Sequence, residues 1–215
     1  MNPESFKNKL YIARNVEGDP NNEDLALLHS LQEKLADKKG FVGIAPFGSI
    51  VTGYSSTESD FDLVDLYDDP DDYPDARNGN IGNELWMEIL KLTDGLKRKI
   101  NIFGQNVNLE LFLHSMENGV SNDYLIAGLA QMSGLVTGEK IADYRKKLTL
   151  ELENLPTEEK TDLLNKVVDY LFEQDAKSLT KRKKRMPNLT EEEHQNILSA
   201  RKDMWEKRVK EVWNL

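Results

Sequence analysis

"FVGIAPFGSIVTGYSSTESDFDLVDLY", residues 41–67, carries the pattern that decides the fold. Its first seven residues are apolar and read as a strand, with Pro46 near the end, where a missing N–H is tolerated. Gly48-Ser49 then open a short helical turn. "DFDLVDLY" reads as a second strand. Strand side chains alternate between faces, so Asp60 and Asp62 point the same way, about 7 Å apart along the chain. Two carboxylates that close repel each other unless solvent or a cation separates them. Asp65 falls on the opposite face and reads as a surface residue. Asp68, Asp69, Asp71 and Asp72 read as the solvated acids of a loop.

Upstream, residues 4–14 read as a short helix using Phe6 and Leu10. A clearer helix runs over 23–38, with Leu25, Leu28, Leu31 and Leu35 at helical spacing. Asp24 favours its start through the helix dipole, and Gly40 stops it. Downstream, "DDPDDYPDARNGN" is a loop by composition. Residues 81–96 carry Leu85, Trp86, Ile89, Leu90 and Leu92 at helical spacing. Next comes a hairpin pattern: "KINIF", a turn at Gly104-Gln105-Asn106, then "VNLELFL" as the returning strand. In that strand Val107, Leu109, Leu111 and Leu113 share one face, while Asn108, Glu110 and Phe112 share the other. A helix over 121–132 has Ser121 as its N-cap and Asp123 in its first turn. Residues 141–215 are helical by composition, with breaks near Pro156 and Pro187. The expected class is α+β: a small mixed sheet flanked by helices over 1–140, then a helical C-terminal region over 141–215.

The 215 residues suit one domain with an appendage, or two small ones, and are enough to bury a sizeable core. No apolar run approaches the roughly 18 residues of a membrane-spanning helix. The polar start "MNPESFKNK" does not resemble a signal peptide, so the cytoplasm is the expected compartment and no membrane association is expected. The absence of cysteine excludes disulfides and thiolate metal sites. His29, His114 and His194 lack ligand spacing. The net charge of −10 is unevenly spread. Residues 58–75 hold nine acids and no Lys or Arg, and the rest of the chain holds 29 acidic and 28 basic residues. From Ala176 onward there are 11 basic and 6 acidic residues. The acid is thus concentrated at the Asp-Phe-Asp stretch and the base at the C-terminus.

Read as a strand residue, Glu110 can join Asp60 and Asp62 on one sheet face. Three carboxylates there make a hard-cation site, and oxygen ligands suit Mg²⁺. Gly48-Ser49 provide the complementary half, because free N–H groups and a hydroxyl at a helix start bind phosphate oxygens.

At these residues the sequence resembles the DNA polymerase β-like nucleotidyltransferases. Their signature is an apolar residue, Gly-Ser, a spacer of about nine to thirteen residues, then Asp-x-Asp between apolar residues, with a third acid on a later strand. Phe47, Gly48, Ser49, Asp60, Phe61, Asp62 and Leu63 match it. The spelling through Gly53 and Ser59-Asp60 is similar to RNA-terminal and minimal members. The likeness covers residues 41–115. It implies transfer of a nucleoside monophosphate from a nucleoside triphosphate (NTP) to an acceptor hydroxyl, with pyrophosphate released. Asp60 and Asp62 would hold Mg²⁺ or Mn²⁺, Glu110 would complete the metal site and help activate the hydroxyl, and Gly48, Ser49 and Ser59 would bind the nucleotide. The acceptor would be an RNA 3′ end, a protein or a small molecule. The basic run "KRKKR" at 181–185 favours RNA. The family commonly has Asp where this chain has Glu110.

Blander readings stand beside these. Asp60 and Asp62 also suit a charged edge strand that blocks unwanted pairing. Glu110 suits a solvated hairpin, Gly48-Ser49 a plain turn, and "KRKKR" a solvated helix. Trp86 and Trp205 sit among aliphatics and read as core. A haloacid-dehalogenase-like nucleophile loop needs an apolar strand directly before its first Asp, and "SSTES" stands there instead. The remaining alternative is a non-catalytic binding or antitoxin-like protein that keeps the nucleotidyltransferase fold.

Overall fold

The computed structural model describes residues 23–47, 61–68, 87, 91, 94, 100–118, 123–134, 136, 138–184 and 189–214. Among them stand three strands and six helices, an α+β arrangement. In chain order these are α1 (Glu23–Leu35), β1 (Phe41–Phe47), β2 (Phe61–Tyr67), β3 (Ile100–Asn106), α2 (Leu109–Glu117), α3 (Asp123–Ser133), α4 (Glu139–Asn154), α5 (Thr157–Lys183) and α6 (Glu191–Val212). They fall into two compact units, one within Met1–Phe112 and Leu135–Tyr144, the other within Leu113–Gly134 and Arg145–Leu215. Among the described residues no helix is long and apolar enough to cross a membrane.

In the first unit the strands form a mixed sheet in the order β1-β2-β3. β1 runs antiparallel to β2, and β3 runs parallel to it. One sheet face carries Ile44, Leu63 and Tyr67, which pack with Leu28, Leu31 and Leu35 of α1. The leucines at helical spacing are therefore the seam between helix and sheet. Burying each contributes about 2 kcal/mol. A bulge between Phe41 and Gly43 adds one residue to β1. It allows Phe41 and Ile44, three positions apart, to reach the same core.

Two glycines permit close backbone approaches. Gly40 takes φ +80° after α1, a conformation that L side chains avoid, and its carbonyl accepts the N–H of Asp68 at 2.8 Å. Gly138 lies against the bulge, where a Cβ would fall 2.3 Å from the Val42 carbonyl oxygen.

The hairpin expected at Gly104-Gln105-Asn106 does not form. β3 continues straight through these residues, and Val107 N–H still pairs with the Tyr67 carbonyl at 2.8 Å. The chain then enters the helix α2 instead of a returning strand. Asn108 caps it: its Oδ1 accepts the N–H of Leu111 at 3.0 Å. The Phe112 N–H closes the first turn on the Asn108 carbonyl at 3.1 Å. Phe112 and Met116, one turn apart, are both buried. Val107, Leu109, Leu111 and Leu113 satisfy a period of two. The same segment also satisfies a helical period through Phe112 and Met116, and the cap decides between them.

In the second unit, α3, α5 and α6 pack together. The last carbonyls of α3 are satisfied by side chains. Arg145 donates to the Met132 carbonyl, with Nε at 2.8 Å, and Arg208 Nε donates to the Ser133 carbonyl at 3.3 Å. Cationic donors suit the negative end of a helix. The helical tail breaks between α4 and α5 at Leu155-Pro156, and again between Lys183 and Glu191; the break expected near Pro187 lies outside the described residues. Thr190 and Glu193 form a capping box at the start of α6.

An ion pair lies inside this unit. Asp175 Oδ2 accepts hydrogen bonds from Arg201 Nε at 2.6 Å and Trp205 Nε1 at 2.7 Å. The Arg201 guanidinium also stacks on the Trp205 ring, 5.5 Å from its centroid. Both charged residues are buried. Replacing one partner strands the other charge, which typically costs 3–5 kcal/mol. Asp175 would keep its Trp205 bond, so Arg201→Ala is expected at the low end, about 3 kcal/mol by urea denaturation. The double replacement Asp175→Asn with Arg201→Met is expected to recover part of that loss, since no buried charge remains and the new amide oxygen can still accept from Trp205 Nε1.

Candidate functional site

Asp62 is the one member of the expected site that lies on a described strand. It sits near the start of β2, half-buried. Across one side it pairs with Phe47, the residue before Gly48. Across the other it pairs with Asn101 of β3. The end of β1, Phe47, is therefore directly beside Asp62. Asn101 Nδ2 donates to Asp62 Oδ1 at 2.9 Å. Phe103, two residues further along β3, is 55% exposed. Its ring meets Phe47 edge-on, with centroids 5.2 Å apart.

Asp60, Gly48, Ser49 and Ser59 lie outside the described residues. Glu110 is described, and it is not on a strand. It occupies the first turn of α2, with its side chain exposed. An acid there favours the helix start through the macrodipole, which is a sufficient structural reason for it. The strand beside β2 offers Asn101 where a carboxylate was expected from Glu110. Among the described residues no group of three or more acidic or histidine side chains is arranged to hold a metal.

Asp65 departs furthest from expectation. It was expected at the surface, and it is 0% exposed. Its neighbours in register are Ile44 on β1 and Gly104 on β3. Neither of its oxygens has a hydrogen-bond partner among the described residues. Burial pushes its carboxyl up to about 7. Asp68 is also more than a solvated loop acid, because it accepts a hydrogen bond from the Tyr144 hydroxyl.

In the basic run, Lys183 is engaged by Glu191 of α6. Hydrogen bonds from Lys183 and Gln195 hold the Glu191 carboxyl down at about 2. Lys181 and Lys184 are exposed. Arg185 and the Arg182 side chain lie outside the described residues. Trp205 is core, as its setting in the sequence indicated.

Asn101 was missed in the sequence. Its signal was a lone amide between Ile100 and Ile102, in a strand with apolar residues on either side. The signal for Asp65 was an acid inside the run Leu63-Val64-Asp65-Leu66.

No family model, curated protein or solved structure matches this chain.

Proposed function

We propose that the chain is a metal-dependent nucleotidyltransferase that moves a nucleoside monophosphate from an NTP to an acceptor hydroxyl. The observation that carries this reading is the pairing of Phe47 with Asp62. It sets Phe47, the residue before Gly48 in sequence, beside Asp62, and the Gly-Ser and Asp-x-Asp pattern is consistent with that pairing.

The Asp62 carboxylate offers oxygen, a donor type that fits a hard cation. Mg²⁺ is typically bound by one or two carboxylates, with substrate phosphates completing the shell. Asp62, with Asp60, would hold Mg²⁺ or Mn²⁺, which when bound neutralises charge on the transferring phosphoryl group. Gly48, Ser49 and Ser59 would hold the phosphates of the NTP through N–H and hydroxyl donors. The acceptor oxygen bonds to the α-phosphorus, the bond from that phosphorus to the bridging oxygen breaks, and pyrophosphate leaves. The acceptor's proton passes to a carboxylate or to water. The third-acid role that the resemblance gives Glu110 has no sheet geometry behind it. Among acceptors, the exposed Lys181 and Lys184 favour RNA.

A second reading is favoured by Asn101 itself. A neutral amide beside Asp62, with Glu110 exposed on a helix, also suits a binding protein of this fold without turnover. One assay separates the two. The full chain is incubated with a cell extract, Mg²⁺ and each of the four α-labelled NTPs in turn. The expected result is label on one acceptor class with one preferred nucleotide. No transferred label, together with retained NTP binding, would establish the non-catalytic reading.

A further inference from the structure

We propose that Asn101 is a positioning residue for Asp62, fixing which carboxylate oxygen faces a divalent cation; this rests on the nucleotidyltransferase reading. The parallel register of β2 and β3 sets Asn101 beside Asp62. The 2.9 Å bond from Nδ2 ends on Oδ1. Among the described residues Oδ2 has no hydrogen-bond partner, so it is the oxygen left for a cation.

The strand is held on both sides of Asn101. Ile100 and Ile102 pack against the α1–sheet core on the other face. Next on the Asn101 face, Phe103 is fixed by its edge contact with Phe47. Phe47 in turn pairs with Asp62. The amide is thus carried on a backbone whose neighbours are anchored, and its bond to Asp62 holds the side chain in place. An outer partner of this kind orients a ligating carboxylate, and its removal typically weakens metal binding 10–100-fold. An amide does this without adding charge. A carboxylate at the same place would face Asp62 directly, and like charges directly opposite on neighbouring strands destabilise the pair.

The test is Mn²⁺ binding to the full chain, monitored by the electron paramagnetic resonance signal of unbound Mn²⁺, with melting temperature measured in parallel. Asn101→Leu, similar in size and without a donor, is expected to bind Mn²⁺ at least about 10-fold more weakly. Its melting temperature without cation should stay close to wild type. Asn101→Ala gives the same comparison if the leucine variant does not fold. Asn101→Asp is expected to move the other way: a lower melting temperature without cation, restored by Mn²⁺, and tighter Mn²⁺ binding than wild type. A purely structural amide would make all three variants less stable and leave Mn²⁺ affinity alone, and that result overturns the assignment. Wild-type binding that is equal in Asn101→Leu overturns it while leaving the cation site standing. Wild-type binding of Mn²⁺ that is absent, or unchanged in Asp62→Ala, overturns the cation site and the positioning role together.

Discussion

Asp62→Asn is expected to abolish nucleotidyl transfer while leaving the chain folded. The substitution keeps the shape of the side chain and removes its charge. A metal ion held by a carboxylate is worth several kcal/mol in stabilising the charge of phosphoryl transfer, and losing the ligand would lose that contribution. Since each 1.36 kcal/mol is a factor of ten, the expected loss is on the order of a thousandfold or more. The structural cost is small by comparison. The bond from Asn101 is part-buried, and the new amide can still accept it through its own oxygen. A net loss of about 1 kcal/mol is the scale for one hydrogen bond. The control is thermal. At about a hundred times the dissociation constant, a bound Mg²⁺ with NTP would stabilise the wild type by about 2.7 kcal/mol. Asp62→Asn should show a much smaller shift. Near-normal turnover in this variant would remove Asp62 from the chemistry.

The parts of the fold that were legible share a physical cause. β1 is an apolar run with Pro46 near its end, and β2 is an apolar run with interspersed acids. Few other conformations bury such residues. The α1 leucines and the break at Pro156 are equally direct, because helical spacing and a missing donor leave little choice. The segment after β3 was not legible, because its apolar residues satisfy two periods at once. Only the Asn108 cap distinguishes them, and a cap is a matter of one side chain meeting one N–H. Glu110 moved from sheet to helix with that single decision. Asp65 was misread for a different reason. Alternation assigns a residue to a face but does not say whether the face is dry. β2 is the central strand of the sheet; Leu63 and Tyr67 on the Asp65 face pack with the α1 leucines, and Val64 and Leu66 on the other face are also buried. A strand covered on both faces has no solvent side for an acid.

That buried acid leads to the second large effect. The stability of the wild type relative to Asp65→Asn should fall as pH rises from about 4 to about 7 and then level off. In the unfolded chain the carboxyl titrates at its ordinary 3.8, and in the fold burial raises it to about 7. Between those values the folded chain keeps a proton that the unfolded chain has lost. Stability therefore decreases with pH across that window. Below it both states are protonated, and above it both are ionised. Each unit of difference is worth about 1.4 kcal/mol, so the full span is on the order of 4 kcal/mol. Urea denaturation of both proteins at about pH 4 and about pH 8, the two ends of the window, checks this. At the acid end the two should differ little, because a neutral carboxyl and an amide are similar in size and both are buried. At the alkaline end Asp65→Asn should be more stable by up to about 4 kcal/mol. Taking the difference cancels every other titrating group. Asp65→Leu should gain at both ends, since it also removes the oxygens that have no partner among the described residues. A difference that is the same at both ends would mean that Asp65 is ionised throughout. It would then need a cationic or hydrogen-bonding partner from a segment outside the described residues.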